Sequence, residues 1–376
     1  MDYREEFPQD PGTCYLNHAA VSPWPIRTLQ RVKAFAEENV KVGARYYPQW
    51  EAVEASLRSR LADLVNAASS DDIALVKNTS EALSMVAHGL DWQPGDNIVI
   101  PAGEFPSNRI VWQSLERYGV ELRQVEIEHL EEPEQALLDH FDANTRLLSV
   151  SSVRYDTGFR LDLAKLGRFC SDNQVLYCVD AIQSIGVVDM DVQAIQADFV
   201  MADGHKWMLG PEGLAVFYTK PGSRERITLN EFGWRMIQNP YDFDAQEWEI
   251  ARSGRRFECG SPNMMSIQAL DASLTIFSEI GIATITRNIF NNTSYLIDNL
   301  GKLKDVEIIT PANSDRHAGI VTFRFNSHDP GVVHGKLMEQ GVICAPRGGG
   351  IRFSPHFYTP GQVLDRALNT LESNLK

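Results

Sequence analysis

The sequence predicts an α/β protein with a large domain on a mostly parallel seven-stranded sheet and a smaller α+β domain at the C-terminal end. From about residue 73 to 220, short β-rich runs alternate with amphipathic helical patterns. The runs are near-continuous in Val, Ile and Leu, which is typical of parallel strands buried on both faces. After about residue 262 the pattern changes to two long helical runs followed by shorter strands and helices.

The elements follow in order along the chain. Residues 26–66 predict helix, with a break near VGARYYPQ. Seven strands are then predicted from the runs IALVKN, NIVIP, VELRQVEI, RLLSVSSV, VLYCVDAI, DFVMAD and LAVFYT. Helices are predicted over 264–280, 282–304 and 331–340, and again from residue 360. Between the last two, VICAPRGGGIRFSP predicts a strand, with its three glycines forming a tight turn.

We expect three units along the chain. These are an N-terminal arm expected to lie over the ligand site, a large domain built on the predicted sheet and a small C-terminal domain, with bounds at 1–25, 26–255 and 256–376. The parallel sheet places ligand sites at the carboxyl ends of its strands, so the loops after the strands are where functional residues are expected.

Composition and charge narrow the class of partner. The chain has 376 residues, 35 basic against 50 acidic side chains and a net charge of -15, so nucleic acids and anionic membranes would repel it. No apolar run approaches the ~20 residues of a membrane span, and MDYREEFPQDPG has no apolar signal segment. We therefore expect a cytoplasmic protein. The five cysteines are scattered without a C-x-x-C pair, which predicts neither a disulfide framework nor a metal site.

Asp180 and Lys206 are charged residues at the ends of neighbouring predicted strands. Asp180 closes VLYCV, and Lys206 follows ADFVMA within ADGHKWMLGPEG. A desolvated lysine has a lowered pKa and can attack a carbonyl carbon. Pyridoxal 5′-phosphate (PLP) offers that carbonyl, together with a pyridinium nitrogen that an aspartate keeps protonated. One cofactor accounts for both residues, whereas the alternative for Asp180 is a structural ion pair.

The junction KNTSEAL, between a predicted strand and a helix, is a candidate phosphate site. Thr79 and Ser80 add hydroxyl groups to the backbone N–H groups of a helix start, which bind anions. An ordinary N-cap is the alternative, and the phosphate site is favoured only in combination with Asp180 and Lys206. His205 could donate a further hydrogen bond to the phosphate, although a lone histidine is more often packed in the core.

Six motifs follow one another between residue 15 and about 358: YLNHAAVSP, KNTSEAL, VDAIQSIG, ADGHKWMLGPEG, FECGSPN and IRFSPHFY. Together they resemble the class V aminotransferase family, which includes cysteine desulfurases, kynureninases and isopenicillin N epimerase-like proteins. The resemblance implies the aspartate-aminotransferase-like fold of PLP-dependent transferases. It also implies a homodimer with its active sites at the subunit interface.

The resemblance further implies a role for each matching residue around the cofactor. Lys206 would form the Schiff base with PLP and later move the Cα proton of the substrate as general base. Asp180 would pair with the pyridinium nitrogen, and Gln183 would bind the phenolic oxygen. The phosphate would be held by Thr79, Ser80 and His205, together with Ser261 reaching across from a second subunit.

On the substrate side, the resemblance implies that Arg352 in GGIRFSP binds the α-carboxylate. The physical chemistry agrees, because a guanidinium group fits a carboxylate with two parallel hydrogen bonds. Asn17 and His18 match a turn that packs over the cofactor in the family, with core or interface packing as the alternative. Further candidates for the substrate pocket, by family position, are Tyr155, Trp234, Arg235 and Arg347.

The ring-stacking position distinguishes branches of the family. Phe105 in EFPSN follows the strand NIVIP and can cover the face of the pyridine ring. Desulfurases carry a histidine there, and kynureninases carry the Phe-Pro pair that this sequence resembles. SVRYDTGFRLDL also resembles the kynureninase pattern, although Arg154 stands where an Asn is expected. Desulfurases need a reactive cysteine as well, and Cys344 in the strand-like VICAP predicts a buried side chain instead.

These features predict a PLP-dependent enzyme acting on a small amino acid through deprotonation at Cα. We expect an aminotransferase. The alternatives are a C–S lyase of the cysteine desulfurase type, an epimerase, or a non-catalytic binding protein that keeps the fold. A nicotinamide dehydrogenase is disfavoured because no G-x-G-x-x-G follows the first predicted strands.

Overall fold

A computed structural model describes residues 3–376. Within this part of the chain the strands are β1 (Cys14–Tyr15), β2 (Ile73–Val76), β3 (Asn97–Pro101), β4 (Glu121–Val125), β5 (Thr145–Ser151), β6 (Leu176–Asp180), β7 (Phe199–Asp203), β8 (Ala215–Thr219), β9 (Val306–Ile308), β10 (Val321–Phe325), β11 (Val342–Ile343), β12 (Ala345–Arg347) and β13 (Gly350–Phe353). Each of the seven predicted runs contains one strand, β2 to β8, with ends that differ by at most two residues.

The helices lie largely where apolar periodicity predicts them. They are α1 (Ile26–Val42), α2 (Tyr47–Leu64), α3 (Thr79–Gly89), α4 (Pro106–Gln113), α5 (Pro133–Leu138), α6 (Leu163–Asp172), α7 (Pro221–Arg224), α8 (Met264–Ile280), α9 (Ile282–Leu300), α10 (Pro330–Glu339) and α11 (Gly361–Asn374). The predicted break near residue 43 is confirmed. Gly43 adopts φ 58° after the last residue of α1, and Pro48 lies in the first turn of α2, where no backbone donor is needed.

The central sheet has the strand order β2-β8-β7-β6-β5-β3-β4. Strands β3 to β7 pair in parallel, whereas β8 is antiparallel to both of its neighbours. The predicted mostly parallel sheet of seven strands is therefore confirmed. In the register of β5, β6 and β7, Ser151 lies opposite Asp180 and Asp180 lies opposite Met201. The carboxyl ends of these strands thus meet at one edge, which is where the site forms.

Hydrophobic cores cover both faces of this sheet. Successive strand side chains point to opposite faces, so Val99 belongs to the core that includes residues of α2, α5 and α8, while Ile98 and Ile100 belong to the core that includes residues of α3 and α4. This two-sided burial explains why the strands read as continuous apolar runs rather than alternating patterns.

A four-stranded antiparallel sheet of order β12-β13-β10-β9 follows in the C-terminal part of the chain. It shares a separate hydrophobic core with α10, α11 and the end of α9. Strand β1 joins this region by pairing in parallel with β11, which brings the N-terminal segment beside the C-terminal strands. The predicted division of the chain at residues 25 and 255 stays a prediction.

Among residues 3–376, no single helix has both the length and the hydropathy of a membrane span. Helices α8 and α9 meet that criterion only when taken together, and they are bent by 88° at their junction. Buried side chains of both helices belong to the hydrophobic cores described above.

Candidate active site

Lys206 lies in the turn that follows β7, as the sequence predicts. The turn is closed by a hydrogen bond from the Gly210 N–H to the Gly204 carbonyl, 2.8 Å long. Lys206 Nζ lies 5.8 Å from the centroid of the Phe105 ring. Burial lowers the pKa of Lys206 to about 8; the Asp180 carboxylate opposes this shift and the Arg352 guanidinium adds to it. A larger fraction of the amine is therefore neutral and nucleophilic than in an exposed lysine.

Asp180 is buried at the end of β6 and has few partners. Its Oδ1 accepts a hydrogen bond from the Ile182 N–H at 3.0 Å. Burial raises the pKa of Asp180 to about 7, while Lys206 acts in the opposite direction. A buried carboxylate with one backbone donor is stabilised by a cation brought to it, as a protonated pyridine nitrogen would be.

Phe105 lies at the start of α4 with its ring 39% exposed. The ring faces Lys206 and makes an edge-to-face contact with Tyr155, with centroids 5.1 Å apart. The preceding residue, Glu104, is buried and accepts a 2.6 Å hydrogen bond from the Ser151 N–H at the end of β5. Glu104 thereby fixes the loop that presents the Phe105 ring, which is placed to cover a planar cofactor.

The predicted phosphate site forms at the N-terminus of α3. Asn78 caps this helix by accepting from the Glu81 N–H, and Thr79 is its first residue. The Ser80 hydroxyl is exposed and bonds to the Ser107 hydroxyl at 2.8 Å. His205 comes from the turn after β7, and its Nδ1 is buried without a partner among residues 3–376. Burial lowers the pKa of His205 to about 4, with a further contribution from Lys206, so the ring is neutral.

Gln183 and His18 belong to a buried hydrogen-bond network behind Lys206. Gln183 Oε1 accepts from Trp207 Nε1 at 2.7 Å, and its Nε2 donates to the Ala19 carbonyl at 3.0 Å, which leaves one N–H for a ligand. His18 is fully buried, with Nδ1 bonded to the Ser354 carbonyl and Nε2 to the Tyr358 hydroxyl, each at 2.8 Å. Both ring nitrogens are thus engaged within the fold, and a direct contact with substrate would require breaking one of these bonds.

Arg352 lies on β13 and is only 2% exposed. Its Nη1 donates to the Tyr155 carbonyl at 2.6 Å and its Nη2 to Asn17 Oδ1 at 3.4 Å. Its Nε is buried without a hydrogen-bond partner among the described residues. Burial lowers the pKa of Arg352 to about 10, with a further contribution from Arg347. The structure therefore brings Asn17 and Tyr155 together around the buried guanidinium of Arg352. No carboxylate of residues 3–376 forms an ion pair with this cation.

Other candidates lie elsewhere. Arg235 is buried and its Nη2 pairs with Glu54 of α2, so part of its charge is neutralised within the fold, and its place in the substrate pocket stays a prediction. Ser261 is exposed in the loop before α8, where its expected contact with a second subunit stays a prediction. Arg347 is exposed on β12, and the β12–β13 hairpin turns through Gly348 and Gly349, both at positive φ. This confirms the predicted tight turn before Arg352.

Two acidic residues of this region, Asp203 and Glu104, are absent from the sequence prediction. Asp203 is the last residue of β7, and burial raises its pKa to about 6. Glu104 lies beside Phe105 and is buried, which raises the pKa of its carboxyl group. The signal that could have found Asp203 is the one that pointed to Asp180, an acidic residue at the carboxyl end of an apolar strand.

These groups fit PLP in kind and in number. Buried polar atoms are normally hydrogen-bonded, and the lone His205 Nδ1 and Arg352 Nε mark places that ligand atoms would satisfy. A lysine with a lowered pKa matches the aldehyde of the cofactor, and a buried carboxylate matches its pyridine nitrogen. An aromatic side chain matches the face of the ring, and a helix N-terminus matches the phosphate. Within residues 3–376, no group of three or more His, Cys, Asp or Glu side chains could hold a metal ion. The arrangement is that of a PLP-dependent enzyme.

Comparison with known proteins leads to the same class. The family model described as "Aminotransferase class-V" matches residues 14–351. A "Probable cysteine desulfurase" of Methanothermobacter thermautotrophicus is 30% identical over an alignment that covers 99% of this chain and 97% of the relative. A solved complex of the cystine C–S lyase C-DES with its reaction product, cysteine persulfide, superposes with a TM-score of 0.90 at 25% identity, covering 97% of this chain and 99% of that one. A C-DES variant with glycine covalently linked to the PLP cofactor gives a TM-score of 0.91 at 25% identity, with 98% of both chains covered.

The chain belongs to the class V aminotransferase family, and its cofactor is PLP. The predicted PLP-dependent transferase fold is confirmed by the same structures. The named relatives are desulfurases and a C–S lyase, so they favour the alternative of a C–S lyase over the expected aminotransferase.

Proposed function

We propose that this protein is a C–S lyase that cleaves the Cβ–S bond of cystine or a related amino acid with a sulfur leaving group. For cystine, addition of one water molecule gives pyruvate, ammonia and cysteine persulfide. The Cβ–S bond breaks with its electron pair leaving on sulfur, and the persulfide sulfur takes up a proton. No external oxidant or acceptor is needed.

The state of the cysteines carries this proposal. A sulfur-accepting cysteine needs an accessible thiolate with a lowered pKa. Cys344 is buried, and burial raises the pKa of its thiol to about 12. Burial likewise raises the thiol pKa values of Cys170 and Cys178, and at the half-buried Cys259 burial and then Glu231 raise it. Cys14 is buried beside Arg366. The fold therefore offers no cysteine suited to carry the sulfur, which fits a reaction in which the sulfur leaves on the product.

The comparisons support elimination of a sulfur group over amino transfer. The relative named above is a probable cysteine desulfurase, and the superposition on the cystine lyase covers 97% of this chain and 99% of that one. Phe105 stands where the family resemblance places a histidine in desulfurases, which again separates this chain from enzymes that transfer sulfur to their own cysteine.

The residues of the site would share the work as follows. PLP, when bound, weakens the Cα–H bond of the amino acid joined to it by withdrawing electrons. Arg352 and Asn17 hold the substrate α-carboxylate, which fixes the orientation of Cα. Lys206, with its lowered pKa, takes the Cα proton as general base. Phe105 covers the ring and keeps water from that face.

Arg347 supports cystine as the substrate. It is exposed on the strand next to Arg352, and its charge, like that of Arg352, lowers the pKa of Lys206, so it lies within electrostatic reach of the site. Cystine has two carboxylates, one at each end. Arg352 would bind the carboxylate of the half that reacts, and Arg347 the carboxylate of the half that leaves.

We also propose a homodimer with the active site at its interface. Apolar side chains around the site are exposed in the single chain, among them Val21, Trp24 and Phe105 at 39–41%. Trp24 is hydrogen-bonded to the Gly210 carbonyl in the loop that carries Lys206. A second copy would cover these groups, and Ser261 would lie at its edge. Sedimentation should give twice the chain mass, whereas a monomer that retains full activity would contradict the proposal.

The experiment mixes holoenzyme with L-cystine, L-cysteine or L-alanine in the absence of a keto-acid acceptor. We expect continuous pyruvate release from cystine, with persulfide recovered as an alkylated small molecule by mass spectrometry. A single stoichiometric release of keto acid that resumes only with an added acceptor would instead show an aminotransferase. Lys206→Ala should abolish turnover and covalent labelling by PLP with borohydride.

The matched control is Cys344→Ala. Because this thiol is buried, its removal should leave pyruvate release within about twofold of wild type. A persulfide found on the protein, and lost together with activity in Cys344→Ala, would show a desulfurase and refute the proposal.

A further inference from the structure

Asp203 is an acidic group at the place where the cofactor phosphate is expected to bind. It ends β7, and its Oδ2 accepts from the Thr79 hydroxyl at 3.4 Å. The backbone N–H of Thr79, the first residue of α3, also faces this carboxylate. Oδ1 is buried and has no hydrogen-bond partner among residues 3–376. Oδ2 therefore lies at the helix N-terminus, while the buried Oδ1 of the same carboxyl group still needs a donor.

A phosphate dianion cannot be that donor. A carboxylate and a phosphate dianion only accept hydrogen bonds, and their like charges repel. A single proton held between them replaces the repulsion with an O–H···O⁻ bond, which is short and strong. The neighbouring His205 is neutral, so it adds a hydrogen-bonding nitrogen but no positive charge to balance Asp203.

We propose that Asp203 binds the cofactor phosphate in its neutral, protonated form, so that cofactor binding takes up a proton at this carboxyl group. The Asp203 O–H donates to a phosphate oxygen, and the Thr79 hydroxyl turns from Asp203 Oδ2 to donate to the same anion. The proposal rests on PLP as the cofactor and not on which substrate bond breaks, so it stands or falls separately from the lyase assignment.

The surrounding charges favour this protonation. Burial raises the pKa of Asp203 to about 6, and Asp180 raises it further, whereas the Thr79 amide and Lys206 lower it. On α3 the nearest acid, Glu81, is held by Lys77 in an ion pair of 3.5 Å. A bound dianion adds negative charge beside the carboxyl group. Its pKa then rises again, and a proton is taken up near neutral pH.

The test titrates the full chain, stripped of its cofactor, with pyridoxine 5′-phosphate, which has the phosphate but no aldehyde to react with Lys206. Calorimetry at pH 8, in buffers of different ionisation enthalpy, counts the protons taken up per ligand bound. The wild type should take up as much as one proton more than Asp203→Asn or Asp203→Ser. Between pH 7 and 9 the affinity of the wild type for pyridoxine 5′-phosphate should also fall more steeply than that of the two variants, by up to a further tenfold per pH unit. At pH 9 the Asp203→Asn chain should bind more tightly than wild type.

Sulfate provides a second probe because it does not titrate in this range. The same difference in proton uptake with sulfate would assign the proton to Asp203 rather than to the ligand. Equal proton uptake by the wild type and both variants would overturn the proposal, as would a proton difference that disappears with sulfate. Melting curves establish that each variant is folded, and Asp203→Ser carries the test if Asp203→Asn does not fold.

Discussion

The clearest test of the site is Arg352→Met, because the structure predicts a large loss of activity with little change in stability. Arg352 has five N–H donors, of which one contacts the Tyr155 carbonyl and one contacts Asn17. Nε and one N–H on each Nη remain, which is enough to bind a carboxylate with two parallel bonds. Each hydrogen bond to a charged group contributes roughly 1.5–3 kcal/mol, so two contribute roughly 3–6 kcal/mol. We expect kcat/KM to fall by about 10²- to 10⁴-fold.

Stability should change little in the same variant. Arg352 is 2% exposed and forms no ion pair within residues 3–376, so its charge is buried at a cost that Met removes. The lost hydrogen bond from the guanidinium to the Tyr155 carbonyl opposes this gain by roughly 1.5–3 kcal/mol. We expect the melting temperature to stay within about 3 °C of wild type.

The assay pairs pyruvate release from cystine with thermal unfolding of the same preparations. Arg324→Met is the matched control, since Arg324 lies on the adjacent strand in an exposed ion pair with Glu307 and should affect neither quantity appreciably. If Arg352→Met lost less than tenfold in kcat/KM while its melting temperature fell sharply, Arg352 would be a structural residue and the carboxylate assignment would be wrong.

Three further predictions follow from the same contacts. Labelling of Lys206 in the stripped chain by a small amine-reactive reagent, followed by peptide mass spectrometry, should rise with pH to a midpoint near 8. Asp180→Asn should lower that midpoint because the Asp180 carboxylate raises the Lys206 pKa; a midpoint at the ordinary 10.5 would refute the burial of the amine. Arg347→Met should raise KM for cystine but not for β-chloroalanine, which has a single carboxylate. An equal rise in KM for the two substrates would exclude a contact between Arg347 and the second carboxylate of cystine. Glu258→Gln should lower the free energy of unfolding in denaturant by about 3–5 kcal/mol, because Glu258 holds the buried Arg58 with two 2.6 Å bonds. The control Glu37→Gln breaks only the exposed pair with Lys41 and should lower it by less than about 1 kcal/mol.

The positions of Lys206 and Asp180 illustrate what could be predicted from the sequence. Both follow apolar runs that can only be buried strands, and parallel strands bring their carboxyl ends to one edge. Two costly charges at that edge imply a ligand that stabilises both. His18 illustrates the limit. Its position in the chain predicted a contact with the ligand, but whether its ring faces a ligand or the core depends on Ser354 and Tyr358, more than 300 residues away.

The choice of reaction shows the same limit. Amino transfer and sulfur elimination both begin with removal of the Cα proton, so the residues that identify the cofactor do not distinguish them. The strand-like VICAP already predicted that Cys344 is buried, but how strongly burial raises the pKa of its thiol depends on how β11 and β12 pack.

The sequence by itself determined the α/β class, the seven strands and the cofactor, and it predicted the lysine that binds it, because apolar periodicity and the cost of burying charge are local properties of the chain. The tertiary structure alone decided which polar groups lack a partner. Asp203 meets the N-terminus of α3 across 124 residues of sequence, and Arg352 meets Asn17 across 335. Partners separated by such distances are set by the packing of whole elements, and that packing determines which atoms are left for a ligand.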